Sequence, residues 1–179
     1  MANLLYVDRS NYWIEGMHVA AFQNGLAPDV WSAVQHKICD YSWKEDFGKL
    51  FQFAGGDRAD VKKAALFGSR PPPNDSIWEA AKRKGFEPVV YDRNVVNREK
   101  KIDTDIVATM IVDSYELADP KADEFTLVAG DTDYVPAVDK LRARGFRVDV
   151  VFWGHASREL KQAASRFVNL DQFLRNLSR

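Results

Sequence analysis

The sequence predicts an α/β domain, a mostly parallel central sheet with helices on both faces. Short apolar runs of strand length alternate along the chain with stretches whose apolar residues recur at helical spacing. Two of those runs, Leu4–Val7 and Phe125–Ala129, lead directly into aspartates, Asp8 and, past Gly130, Asp131. At 179 residues the chain is most simply one domain with a full core. It is 46% hydrophobic and 28% charged, an ordinary globular balance. No apolar run reaches the length of a membrane span, and the start lacks the pattern of a signal peptide. The single cysteine, Cys39, leaves no internal disulfide or cysteine-based zinc site and suits a reducing cytoplasm. A net charge of −1 does not advertise nucleic-acid binding, so any such function would rest on local patches.

Asn3–Asp8 reads as the first strand, followed by a helix through Trp13, Ile14, Met17, Ala20 and Ala21, with Ser10 or Asn11 as its N-cap. Gly25 closes that helix, and Pro28-Asp29 opens a second through Val30, Val34 and Ile38. His18 and His36 show no paired spacing for zinc and read as surface or groove residues. Phe47–Phe53 fits strand alternation or a short helix ended by Gly55-Gly56, and helix is favoured. Val61–Phe67 is the second strand, followed by Gly68-Ser69-Arg70 and an extended Pro71-Pro72-Pro73. Asn74 or Asp75 caps the next helix; Phe86–Tyr91 is a third strand, placed near an edge by Pro88. Arg93–Lys101 reads as a basic loop, and a helix follows through Ile106, Val107, Met110 and Ile111. Gly130 lets the chain turn after the central strand, and Pro136 suits the first turn of the helix up to Arg144. Phe146–Trp153 is a further strand, then a helix through Leu160, a short strand at Phe167–Leu170 and a terminal helix capped by Asp171. There is no internal repeat, low-complexity tract or domain linker.

In a parallel sheet the carboxyl ends of the strands share one edge, where open α/β sheets bind their ligands. Asp8 and the Asp131/Asp133 pair would meet there, and the turn that carries Asp103 could join them. Crowded carboxylates repel unless a cation or a proton lies between them, and a hard divalent metal is the usual resolution. Bound Mg²⁺ or Mn²⁺ can orient water, lower its pKa and steady a leaving oxygen, as phosphodiester hydrolysis needs. Helix capping and solvation are the plainer roles for the same aspartates.

Three segments stand out in order: Leu5-Tyr6-Val7-Asp8-Arg9-Ser10-Asn11, Lys100-Lys101-Ile102-Asp103-Thr104-Asp105 and Val128-Ala129-Gly130-Asp131-Thr132-Asp133-Tyr134-Val135-Pro136. They resemble the three motifs of NYN domain proteins, the LabA-like branch of the PIN-like nuclease superfamily. Each is weak alone, but their order and spacing are fairly specific, and the likeness spans nearly the whole chain. It implies a single domain, 1–179, with a three-layer α/β/α PIN-like (Rossmannoid) fold, and a Mg²⁺- or Mn²⁺-dependent ribonuclease. Asp8, Asp103, Asp131 and Asp133 would form the acidic cluster, with Asn11 beside it. Two positions depart from the pattern: Arg9 stands where a small residue is common, and Thr109 where many members carry an acid, unless Asp105 compensates.

On this reading Arg70, Arg98, Lys100 and Lys101 would meet RNA phosphates in a salt-sensitive way. Thr132 belongs to the same substrate-binding set, and Ser69 and Ser157 would offer donors to phosphate or merely cap helices. Trp31, Trp43 and Trp78 are candidates for a homodimer face or for stacking bases, with at least two of the five tryptophans in the core. The competing class is a non-catalytic RNA-binding or regulatory module on the same fold. A nucleotide-binding enzyme is poorly supported, because no G-x-G-x-x-G follows the first strand and no Walker lysine follows Gly130.

Overall fold

A computed structural model describes residues 1–69, 75–92 and 98–179, residues 98–100 by their backbone only. Six strands form one parallel sheet: β1 (Ala2–Asp8), β2 (Val61–Ser69), β3 (Glu87–Tyr91), β4 (Asp123–Val128), β5 (Arg147–Phe152) and β6 (Arg166–Asn169). Their order is β3-β2-β1-β4-β5-β6. The chain thus winds outward from β1 in one direction and from β4 in the other, and β1 and β4 lie side by side at the reversal. The carboxyl edge of such a switch point is a natural crevice, because connections leave neighbouring strands toward opposite faces.

Alternation along β1 divides the core in two. Leu5 and Val7 pack into the layer built on α1 (Arg9–Gln23), α3 (Phe47–Leu50) and α4 (Ser76–Arg83). Leu4 and Tyr6 face the layer of α5 (Arg98–Glu116), α6 (Val135–Ala143) and α7 (Arg158–Ala163). A strand buried on both faces reads as an unbroken apolar run, and this is why β1 and β4 stood out. The short α2 (Val30–Gln35) packs against α1, its first turn capped by Asp29.

The structure revises several local expectations. Asp8 itself, not Ser10 or Asn11, caps α1, its carboxylate accepting from the Asn11 amide at 3.2 Å. Phe47–Leu50 is helical as favoured, and runs into a π-helical turn at Phe51–Gly55. The basic segment is not all loop, since α5 already begins at Arg98 and places Asp103 past its first turn. Beyond β6 there is only a 3₁₀ turn at Asp171–Phe173 in place of a terminal helix. His18 is buried, with Nδ1 2.7 Å from the Ile38 carbonyl. Trp43 and Trp78 are core residues, at 6% and 3% exposure, whereas Trp31 is 66% exposed. Arg70, the proline run, Asn74 and residues 93–97 lie outside the described residues. Among those described, no helix is long and apolar enough to cross a membrane.

Candidate metal centre

Three aspartates from three parts of the chain converge at the β1/β4 switch point. Asp8 ends β1, Asp103 comes from α5, and Asp131 follows β4 and precedes a 3₁₀ turn at Thr132–Tyr134. One carboxylate oxygen of each lies within 4.8 Å of the others. Asp8 is buried, Asp103 half-buried and Asp131 exposed, so the cluster runs from the sheet edge out to solvent. It lines a cavity of about 240 Å³ together with Ser10, Asn11, Ile14, Glu15 and Ile102.

Tyr134 binds the inner two acids together. Its ring is fully buried, and its hydroxyl lies 3.0 Å from Asp8 Oδ2 and 3.0 Å from Asp103 Oδ1. A phenol has one hydrogen to donate, so it can serve only one carboxylate at a time. The second contact requires a proton on a carboxyl group. The Asp8/Asp103 pair holds it: burial and the neighbouring Asp103 charge push the pKa of Asp8 up to about 8, against the lowering hydrogen bonds from the Asn11 amide and Tyr134. The Tyr134 phenol is driven above its ordinary range by burial and by the same two carboxylates, so it stays a donor.

Asn11 ties the two central strands across the switch point, its Oδ1 accepting from the Gly130 amide at 3.2 Å. Gly130 is required there by a close approach, not by its backbone angles. A Cβ would lie 2.4 Å from Phe152 Cε2, because that ring crosses the backbone at the end of β4.

A family profile for the NYN domain matches residues 30–171. The chain belongs to the NYN domain family. That places it in the PIN-like nuclease superfamily, and the six-stranded parallel sheet with helices on both faces is the matching fold. The profile match begins beyond Asp8 and Asn11, so it is the folded geometry that brings β1 into the cluster. A crystal structure of a protein of unknown function from Vibrio parahaemolyticus has a similar fold, with a TM-score of 0.64 at 19% identity, covering 94% of this chain and 92% of that one. No curated protein sequence matches.

Asp133, the other acid of the third NYN motif, is exposed on the 3₁₀ turn and falls outside the three-carboxylate group. Asp105 and Thr109 are likewise outside it. Lys101 is exposed, its ammonium 5.4 Å from the centre of the Tyr91 ring. Arg98 and Lys100 occupy the first turn of α5. Ser69 is the last residue of β2. Ser157 caps α7, accepting from the Leu160 amide at 3.3 Å, and its hydroxyl is 2.8 Å from that of Thr132. Arg9 is buried on Glu45, its Nε 2.7 Å from Oε1, with the guanidinium stacked 4.4 Å from the Trp13 ring centre.

Sequence reasoning missed Tyr134 as the clasp of the cluster, and also Glu15 and His155. Glu15 could have been found, since it lies one helical turn beyond Asn11 and so shares its face. Nothing in the sequence signals that His155 Nε2 reaches Glu15 Oε2 at 2.5 Å across 140 residues.

Proposed function

We propose that the chain is a metal-dependent ribonuclease that hydrolyses RNA phosphodiester bonds at this cluster. The observation that carries the reading is the crowding of a buried carboxyl, Asp8, against two further carboxylates, which only a proton or a cation relieves. Three converging carboxylates offer hard oxygen donors at the open end of a crevice, a set that fits Mg²⁺ or Mn²⁺. Asp8, Asp103 and Asp131 would hold the ion, which when bound supplies Lewis acidity toward a phosphoryl oxygen and a lowered water pKa.

The protein's own contribution is orientation. Tyr134 fixes the facing oxygens of Asp8 and Asp103, and the Asn11 amide fixes the second oxygen of Asp8. Asn11 also holds β1 against the end of β4, keeping Asp131 in reach of Asp8. Exposed Asp131 would meet the metal and the entering substrate phosphate, and Asp133, two residues on, would position water. Lys101, Arg98 and Lys100 on the first turns of α5, with Arg70, would neutralise flanking phosphates. Thr132 and Ser157 would add neutral hydroxyls at the rim.

The test is cleavage of a labelled single-stranded RNA in Mn²⁺, Mg²⁺ or EDTA by wild type and Asp131→Asn. Cleavage by wild type only with metal, reduced at least about 100-fold in the variant, is the expected result. Equal cleavage by both proteins, or cleavage in EDTA, contradicts it. RNA binding without cleavage by either makes the chain a binding module.

A further inference from the structure

Beside the acid cluster lies a second cavity of about 240 Å³ with a different character. The two share Asn11, Glu15 and Asp131 in their walls, so they lie side by side. The second is lined by Trp31, Val34, Phe152 and His155, with the Thr132 and Ser157 hydroxyls. Among the described residues no lysine or arginine lines it, and Glu15 and Asp131 border it. A phosphate would be repelled there. A flat, uncharged group with polar edges suits it.

We infer that this cavity seats an unpaired nucleobase of the strand whose phosphate meets the acid cluster. The inference rests on the nuclease reading and adds a substrate class to it, single-stranded RNA held by a stacked base. Trp31 is the platform. It is 66% exposed, yet it is not loose. Asp29 caps its helix through the Ser32 amide at 2.7 Å, and the His155 ring meets it edge-on, 5.9 Å between centres and 80° between planes. The His155 side chain is only 9% exposed and is held by Glu15, whose carboxylate can only accept, so Nε2 carries the proton. That leaves His155 Nδ1 buried as an acceptor with no partner among the described residues. Phe152, 2% exposed, closes the inner wall against Gly130. The Ser157 hydroxyl donates to Glu159 Oε2 at 3.0 Å and accepts from the Leu160 amide, so the Thr132 hydroxyl, 2.8 Å away, donates to Ser157 and keeps its lone pairs to accept from a base edge. Stacking accepts any base, because every base has a π face, whereas a base inside a duplex offers none.

The experiment is steady-state cleavage in Mn²⁺, with anisotropy binding, comparing wild type, Trp31→Ala and Trp31→Phe. Substrates are a single-stranded RNA, its duplex, and the same strand with one abasic nucleotide moved along it. Trp31→Ala should raise KM about ten-fold with kcat nearly unchanged, and Trp31→Phe should retain most of the affinity. In wild type one abasic position should reproduce that rise, and in Trp31→Ala the same position should add nothing. An unchanged KM in Trp31→Ala, or equal use of duplex and single strand, overturns the base seat while leaving the nuclease reading intact. Binding weakened by Trp31→Ala in a protein that does not cleave supports the seat and removes the nuclease. Absence of both binding and cleavage in wild type overturns both.

Discussion

Replacing Asp8 by asparagine removes its ionisation while keeping a hydrogen-bonding match at each oxygen position. The amide oxygen can still accept from the Asn11 amide, and the amide nitrogen can donate to the Tyr134 hydroxyl or the Asp103 carboxylate, both gathered at that point. The folded-state pKa of Asp8, about 8, lies above its ordinary value of 3.8. The folded protein therefore binds more protons than the unfolded one between those values, and its stability falls as pH rises through that window. The slope has a ceiling of about 1.4 kcal/mol per pH unit. Even a loss of about 2 kcal/mol would lower Tm by about 4–8 °C in a domain of this size. In EDTA, wild type should melt lower at pH 8 than at pH 5. Asp8→Asn should be flat by comparison and the more stable protein at pH 8. Mn²⁺ at about 100 times its Kd should restore about 2.7 kcal/mol to wild type and nothing comparable to the variant. Parallel melting curves for the two proteins across this range, with equal responses to Mn²⁺, would refute the crowded-carboxylate reasoning.

Tyr134→Phe removes the hydroxyl that both inner acids contact, so Mn²⁺ affinity measured by calorimetry should fall about 10–100-fold while the fold persists. Gly130→Ala drives a methyl into the Phe152 ring, 2.4 Å from the nearest carbon, and should destabilise by about 1–3 kcal/mol in urea unfolding. Adding Phe152→Leu should recover part of that loss. Arg9→Ala strands the buried Glu45 carboxylate and should cost about 3–5 kcal/mol, whereas Arg9→Met with Glu45→Leu should regain most of it. Neither Arg9 variant should change KM for RNA, because Arg9 does not line the crevice.

The sheet was legible because its central strands are buried on both faces, so β1 and β4 appear as apolar runs and their ends are marked by aspartates. The convergence of Asp8 with Asp131 follows from parallel strands sharing an edge, and Asp103 from the ordered motifs. What remained hidden depends on contacts between distant segments. Asp133 shares its motif with Asp131 but sits on a 3₁₀ turn that leaves it in solvent, and a motif alone does not resolve that turn. Gly130 was legible as a necessary glycine, but its reason, the crossing Phe152 ring, is tertiary. Trp43 and Trp78 sit in polar stretches that hide their burial, whereas Trp31, in a similarly mixed segment, is exposed. Arg9 looked like a departure from a small-residue position, and the structure accommodates it by a buried ion pair with Glu45.

The most direct measurement is anomalous scattering from crystals of the wild-type protein grown with Mn²⁺. A manganese peak bounded by the carboxylates of Asp8, Asp103 and Asp131, and absent from crystals of Asp131→Asn, is the predicted result. A protein that cleaves RNA in Mn²⁺ while its crystals show manganese elsewhere, or none between these three residues, would contradict the assignment of the catalytic centre.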